Sequence, residues 1–135
     1  MQVNVSWSKA LQFVGSSSKG NEILMDGNGG ENGPSPMECV LMALGGCSSV
    51  DIVSDLQQAN QDVVNCEVKI DAQRAEKAPR VFTQINLLYQ VSGNQVDPQL
   101  VEKAVKASMQ QFCSVAKMLE PQTVINADFE VIEQA

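Results

Sequence analysis

A chain of 135 residues is long enough to bury one core, and it reads as a single domain over 1–135. Sixteen acidic residues against nine basic ones leave a formal charge of −7, which argues against nucleic acid or anionic membrane as a partner, since both need clustered Lys and Arg. Histidine is absent, which removes the usual general base, the usual zinc ligand and the Ser-His and Cys-His nucleophile pairs, so any chemistry falls to Cys, Glu, Asp, Lys, Arg or Tyr.

Met1 to Val5 hold no basic region followed by a long apolar one, so a cytoplasmic chain with mostly reduced thiols is expected. Residues 2–8 alternate, with Val3, Val5 and Trp7 on one face, as in a half-buried strand. Leu11 to Val14 reads as its neighbour, Gly15 to Gly20 as a turn-rich break, and Glu22 to Met25 as a short third strand. Asp26 to Pro34 is a glycine-rich loop without the GxxxxGK pattern, which makes a phosphate cradle a poor reading.

Ser35-Pro36-Met37-Glu38 is a helix start: a serine N-cap, a proline at the first position and a glutamate placed to complete a capping box. The helix is expected to run to Gln58, about 33 Å, with no charged residue between Cys39 and Cys47. That apolar run is too short to cross a bilayer, because Glu38, Asp51 and Asp55 bracket it. A helix apolar on all sides is buried, so this one is read as the central helix of the domain. Gly45 and Gly46 each cost about 1 kcal/mol of helix stability relative to alanine, which suits a close backbone approach beside Cys47.

Val64, Cys66, Val68 and Ile70 then alternate with polar residues, placing Cys66 inward as a small packing group. Val81, Thr83, Ile85, Leu87, Tyr89 and Val91 mark one face of a long strand, antiparallel to the previous one. Asp97-Pro98 opens a second helix whose stripe is Val101, Val105, Ser108 and Phe112. This helix breaks near Phe112-Cys113-Ser114, a short helical turn follows to Leu119, and Thr123 to Val131 alternate in a closing strand. The fold class is α+β, with antiparallel sheets around a buried central helix.

The four cysteines, Cys39, Cys47, Cys66 and Cys113, are separated by 8, 19 and 47 positions, which matches neither a CxxC motif nor a zinc knuckle. No metal or cofactor is expected. Cys39 and Cys47 lie about 12 Å apart along one helix, too far for a disulfide. Cys113 stands at a helix break, where free backbone N–H groups favour a thiolate. On the residues alone, Cys47 and Cys113 are either a reactive pair or two buried packing cysteines.

Pro36-Met37-Glu38 with Cys47 eleven residues after the proline, Ser108-Met109-Gln110-Gln111-Phe112-Cys113-Ser114-Val115, and Ala78-Pro79-Arg80-Val81-Phe82-Thr83 together resemble the OsmC/Ohr family of osmotically inducible and organic-hydroperoxide-resistance proteins. The resemblance covers nearly the whole chain. It implies an intertwined homodimer with two sites at the subunit interface. It also implies that Cys47 attacks a small hydroperoxide and becomes a sulfenic acid, that Cys113 condenses with it to a disulfide, and that a dithiol reductant restores both thiols.

Two departures stand out. The peroxidases of this family place glutamate directly after the proline and an arginine in the N-terminal strand region, the two pairing to hold the thiolate. Here Met37 follows Pro36, Glu38 is one position on, and no arginine precedes Arg74. One helical step rotates a side chain by about 100°, so Glu38 points elsewhere and is accounted for by the cap. The expected function is therefore a weakly active, thiol-dependent hydroperoxide reductase. The alternative is a non-catalytic dimeric module that binds a small ligand or senses redox state.

Overall fold

A computed structural model describes residues 1–134. Its contacts divide the chain into two compact units, Met1–Met42 and the chain from Ala43 onward. In the first, β1 (Val3–Lys9), β2 (Gln12–Ser17) and β3 (Glu22–Asp26) form an antiparallel meander. Gly15 to Ser17 belong to β2 rather than to a turn. Gly15 pairs with Ile23, and the turn proper is Ser17 to Gly20, closed by the Gly20 N–H on the Ser17 carbonyl and permitted by φ +86° at Gly20. The glycine-rich loop is organised by the buried Asp26, whose carboxylate accepts the Asn28 and Asn32 backbone N–H groups at 2.8 and 3.0 Å. The Ser35–Glu38 capping box forms as expected, Glu38 Oε1 accepting the Ser35 N–H at 2.9 Å and Ser35 Oγ the Glu38 N–H at 3.2 Å.

Helix α1 (Pro36–Gln58) begins there and continues into the second unit, which adds β4 (Asp62–Arg74), β5 (Phe82–Asn94), α2 (Pro98–Ala107), a π-turn (Ser108–Phe112), α3 (Ser114–Leu119) and β6 (Val124–Glu133). The sheet order is β4-β5-β6. β4 and β5 are antiparallel, but β5 and β6 are parallel, so the expectation of antiparallel sheets fails for this pair. The physical reason is the connection: α2 and α3 form a crossover long enough to return the chain to the same end of the sheet. The core joins Leu44, Ile52 and Leu56 of α1 to Ile85, Leu87, Tyr89 and Val91 of β5 and Val101 and Val105 of α2.

Within one chain α1 is not buried all round. Its buried stripe is Leu44, Gly45, Ser48, Ile52 and Leu56, whereas Met42 and Val50 are 58 and 68% exposed. The helix is long and apolar enough to cross a membrane, but this stripe and the polar positions Ser48, Ser49, Asp51 and Asp55 make it a core helix of the fold. A Cβ at Gly45 would meet Ile70 Cδ1 at 2.8 Å and Val68 Cγ1 at 3.1 Å, so side chains of β4, not a backbone, come close there; at Gly46 it would meet nothing. A bulge between Val63 and Asn65 turns Val64 outward and leaves Cys66, Val68 and Ile70 facing in. A second irregularity pairs Arg74 with Phe82, which takes the inward place expected of Val81 and Thr83.

Candidate functional site

Cys47 is half-buried on α1 and Cys113 is fully buried between the π-turn and α3. The Cys47 sulfur lies close enough to perturb the Cys113 thiol, so the two residues singled out in the sequence are brought together. The fold holds the Cys113 backbone firmly. Its N–H donates to the Ser108 carbonyl at 2.8 Å, its carbonyl accepts the Lys117 N–H at 3.1 Å, and Sγ caps α3 by accepting the Ala116 N–H at 3.4 Å. Burial pushes the Cys113 thiol above the ordinary thiol range, and the Cys47 sulfur beside it pushes the same way, against the pull of the Ala116 and Val115 N–H groups. The expectation that free N–H groups favour a thiolate at Cys113 is thus corrected: desolvation outweighs them.

The helix break also changes which residue faces inward. Val101, Val105 and Ser108 follow the expected stripe, but Phe112 is 57% exposed while Cys113 is 0% exposed. The i→i+5 bond from the Cys113 N–H to the Ser108 carbonyl winds one more residue into this turn than the α-helical i→i+4 pattern, which moves the inward position from Phe112 to Cys113.

A polar network surrounds the pair. The buried Tyr89 hydroxyl of β5 donates to Ser48 Oγ at 2.5 Å, and Ser48 donates to the Leu44 carbonyl at 2.8 Å. Burial pushes the Tyr89 phenol up to about 12, with the nearby Cys113, Cys66 and Asp51 acting in the same direction, so it remains a hydrogen-bond donor at any physiological pH. Asp51 accepts from Ser108 Oγ at 2.8 Å. Burial raises the Cys66 thiol, with the nearby Ser49 side chain acting in the opposite direction. Sequence reasoning treated Tyr89 and Ser108 as core positions and passed over Ser48 and Asp51. The available signals were a serine in the buried stripe of α1 and a carboxylate one turn after Cys47.

No lysine or arginine is among the groups that shift Cys113. Arg74 and Arg80 place their Nε–H groups on the carbonyls of Arg80 and Ala75, and Glu38 is engaged in its capping box. A groove of about 460 Å³ runs between α2, α3 and β6, floored by Val105, Met109, Ala116 and Ile125 with Lys106 and Lys117 among its lining.

The family model described as OsmC-like protein matches residues 27–128. The chain belongs to the OsmC-like family. Protein YhfA of Escherichia coli (strain K12) is 52% identical over 132 residues, 98% of either chain. A hypothetical protein from Aquifex aeolicus VF5 is similar in structure, with a TM-score of 0.90 and 30% identity over 99% of this chain and 97% of that one. The organic hydroperoxide resistance protein OhrB of Bacillus subtilis shares the fold at a TM-score of 0.64 and 13% identity, over 96% of this chain and 98% of its own. The α+β architecture of two small sheets with helices is therefore that of the OsmC-like proteins, as the motifs around Cys47 and Cys113 implied.

Proposed function

We propose that this OsmC-like protein is a homodimeric, thiol-dependent hydroperoxide reductase with Cys47 as the peroxidatic and Cys113 as the resolving residue. The Cys47 thiolate attacks the distal peroxide oxygen and the O–O bond breaks. The leaving oxygen takes a proton and departs as alcohol or water, leaving Cys47 as a sulfenic acid. The Cys113 sulfur then displaces the hydroxyl as water and forms the disulfide, and a cellular dithiol reduces it by exchange, itself becoming oxidised. The observation that carries this reading is the proximity of the half-buried Cys47 to the fully buried Cys113, whose thiol it perturbs. The substrate class is a small organic or inorganic peroxide, and the name of the Bacillus subtilis neighbour, an organic hydroperoxide resistance protein, accords with the organic part of it. The uncovered apolar positions Met42 and Val50 of α1 support the dimer, because a second copy would cover them.

The second reading, a non-catalytic module that binds a small ligand, draws on two observations. No cation is among the groups that shift Cys113, and the α2–α3–β6 groove is of ligand-binding size. Second-order consumption of tert-butyl hydroperoxide and hydrogen peroxide with excess dithiol separates the two. The expected result is slow turnover that vanishes in Cys47→Ser, with Cys113→Ser accumulating a sulfenic acid after one turnover. Activity unchanged in Cys47→Ser removes the enzyme reading.

A further inference from the structure

A side-chain hydrogen bond runs beside the thiol pair. Asp51, four residues after Cys47 on α1, accepts from Ser108 Oγ at 2.8 Å, and Ser108 is fully buried at the head of the π-turn. The Ser108 carbonyl in turn accepts the Cys113 N–H at 2.8 Å. The four residues close a ring. One turn of α1 leads from Cys47 to Asp51, a side-chain hydrogen bond leads to Ser108, the π-turn leads to Cys113, and the thiols close it. On one side the link is four residues long and on the other five. With an ordinary α-turn after Ser108, Phe112 would face inward in place of Cys113.

We infer that Asp51 and Ser108 are positioning residues for the redox pair: their bond pins the head of the π-turn to the helix that carries Cys47, and so holds Cys113 in the register that meets it. The inference rests on the proposed redox role of the two thiols. The Asp51 carboxylate acts through Ser108, whose hydroxyl it orients while the Ser108 carbonyl secures the Cys113 backbone.

The test uses the full chain with Asp51→Ala, Ser108→Ala and Asp51→Asn, the last keeping an oxygen that can accept from Ser108. The reduced protein is equilibrated with oxidised dithiothreitol. The two thiols lose two protons and two electrons to form the protein S–S bond, and the reagent's S–S bond breaks and takes them up. The disulfide fraction gives the effective concentration of the pair, expected to fall about tenfold in both alanine variants, the scale of one lost hydrogen bond, and by no more than about threefold in Asp51→Asn. In the reduced protein, hydrogen exchange of the Cys113 amide is expected to quicken about tenfold in the alanine variants and to hold in Asp51→Asn, with β5 amides reporting any global unfolding. Wild-type exchange at Cys113 in both alanine variants, or an Asp51→Asn variant as impaired as Asp51→Ala, overturns the inference. A wild-type protein that forms no Cys47–Cys113 disulfide defeats the redox reading instead, and the exchange measurement alone then judges the brace.

Discussion

Tyr89 is the only tyrosine in the chain, which makes its ionisation directly measurable. Its phenol is pushed from 10.0 up to about 12 by burial in the folded state, because the phenolate would have to form away from water. The sign follows from linkage. A neutral acid with a raised folded pKa contributes stability that is fully present below the unfolded value near 10 and is lost as pH rises through the folded value near 12. A shift of that size corresponds to about 2–3 kcal/mol. Tyr89→Phe removes the titration together with the hydrogen bond to Ser48, while Ser48 keeps its bond to the Leu44 carbonyl, so the variant should be less stable by about 1 kcal/mol at neutral pH. Urea unfolding of both proteins by far-ultraviolet circular dichroism, at fixed pH between neutrality and about 12, should give a difference that is constant to about pH 10. It should then shrink and reverse near pH 11, where the lost phenol contribution exceeds the lost hydrogen bond. Comparison with the variant cancels the contributions common to both proteins. A difference that stays constant through this range, or a phenolate absorbance that rises with an ordinary midpoint near 10, refutes the account of Tyr89.

Gly93→Ala would drive a Cβ into the Asp62 carbonyl and to 2.6 Å from Val96 Cγ2, a backbone clash at the end of the β4–β5 pairing, and should cost about 3 kcal/mol in urea unfolding. Gly45→Ala meets only the side-chain ends of Ile70 and Val68 and gains about 1 kcal/mol of helix propensity, so its net loss should be about 1 kcal/mol, well below that of Gly93→Ala. Moving the thiol by one place, in Phe112→Cys combined with Cys113→Ser, should abolish the intrachain disulfide with Cys47 under mild oxidation, as read by non-reducing peptide mapping, because position 112 points outward.

The features legible in the sequence are those with a local cause. The start of α1 follows from Ser35, Pro36 and Glu38, whose capping bonds form within four residues. The long strand with Ile85, Leu87, Tyr89 and Val91 inward follows from strict alternation. Alternation says nothing of strand direction, however, so the parallel partnership of β5 with β6 was invisible in the pattern. The stripe Val101, Val105, Ser108 was read correctly, but its extension to Phe112 assumed a uniform helical period, and the π-turn broke that assumption one residue before Cys113. The apolar circumference of α1 was read as burial on all sides, and within one chain only one stripe is covered. The cysteine pair was found through a family motif. Asp51 and Ser48 were not, because a polar residue near an apolar stripe acquires meaning only when its partner, Ser108 or Tyr89, is placed opposite.

The thiols of Cys47 and Cys113 come from positions 66 apart in the chain, with β4, β5 and α2 between them. Bringing the ends of so long a flexible segment together costs on the order of 4 kcal/mol of loop-closure entropy, so in a nascent or unfolded chain the two sulfurs meet about a thousand times less often than in the native one. The pair therefore does not exist as a pair until the sheet and the crossover are assembled. A chain still emerging from synthesis carries separate cysteines, and the two sulfurs become neighbours only once the second unit has completed its tertiary structure.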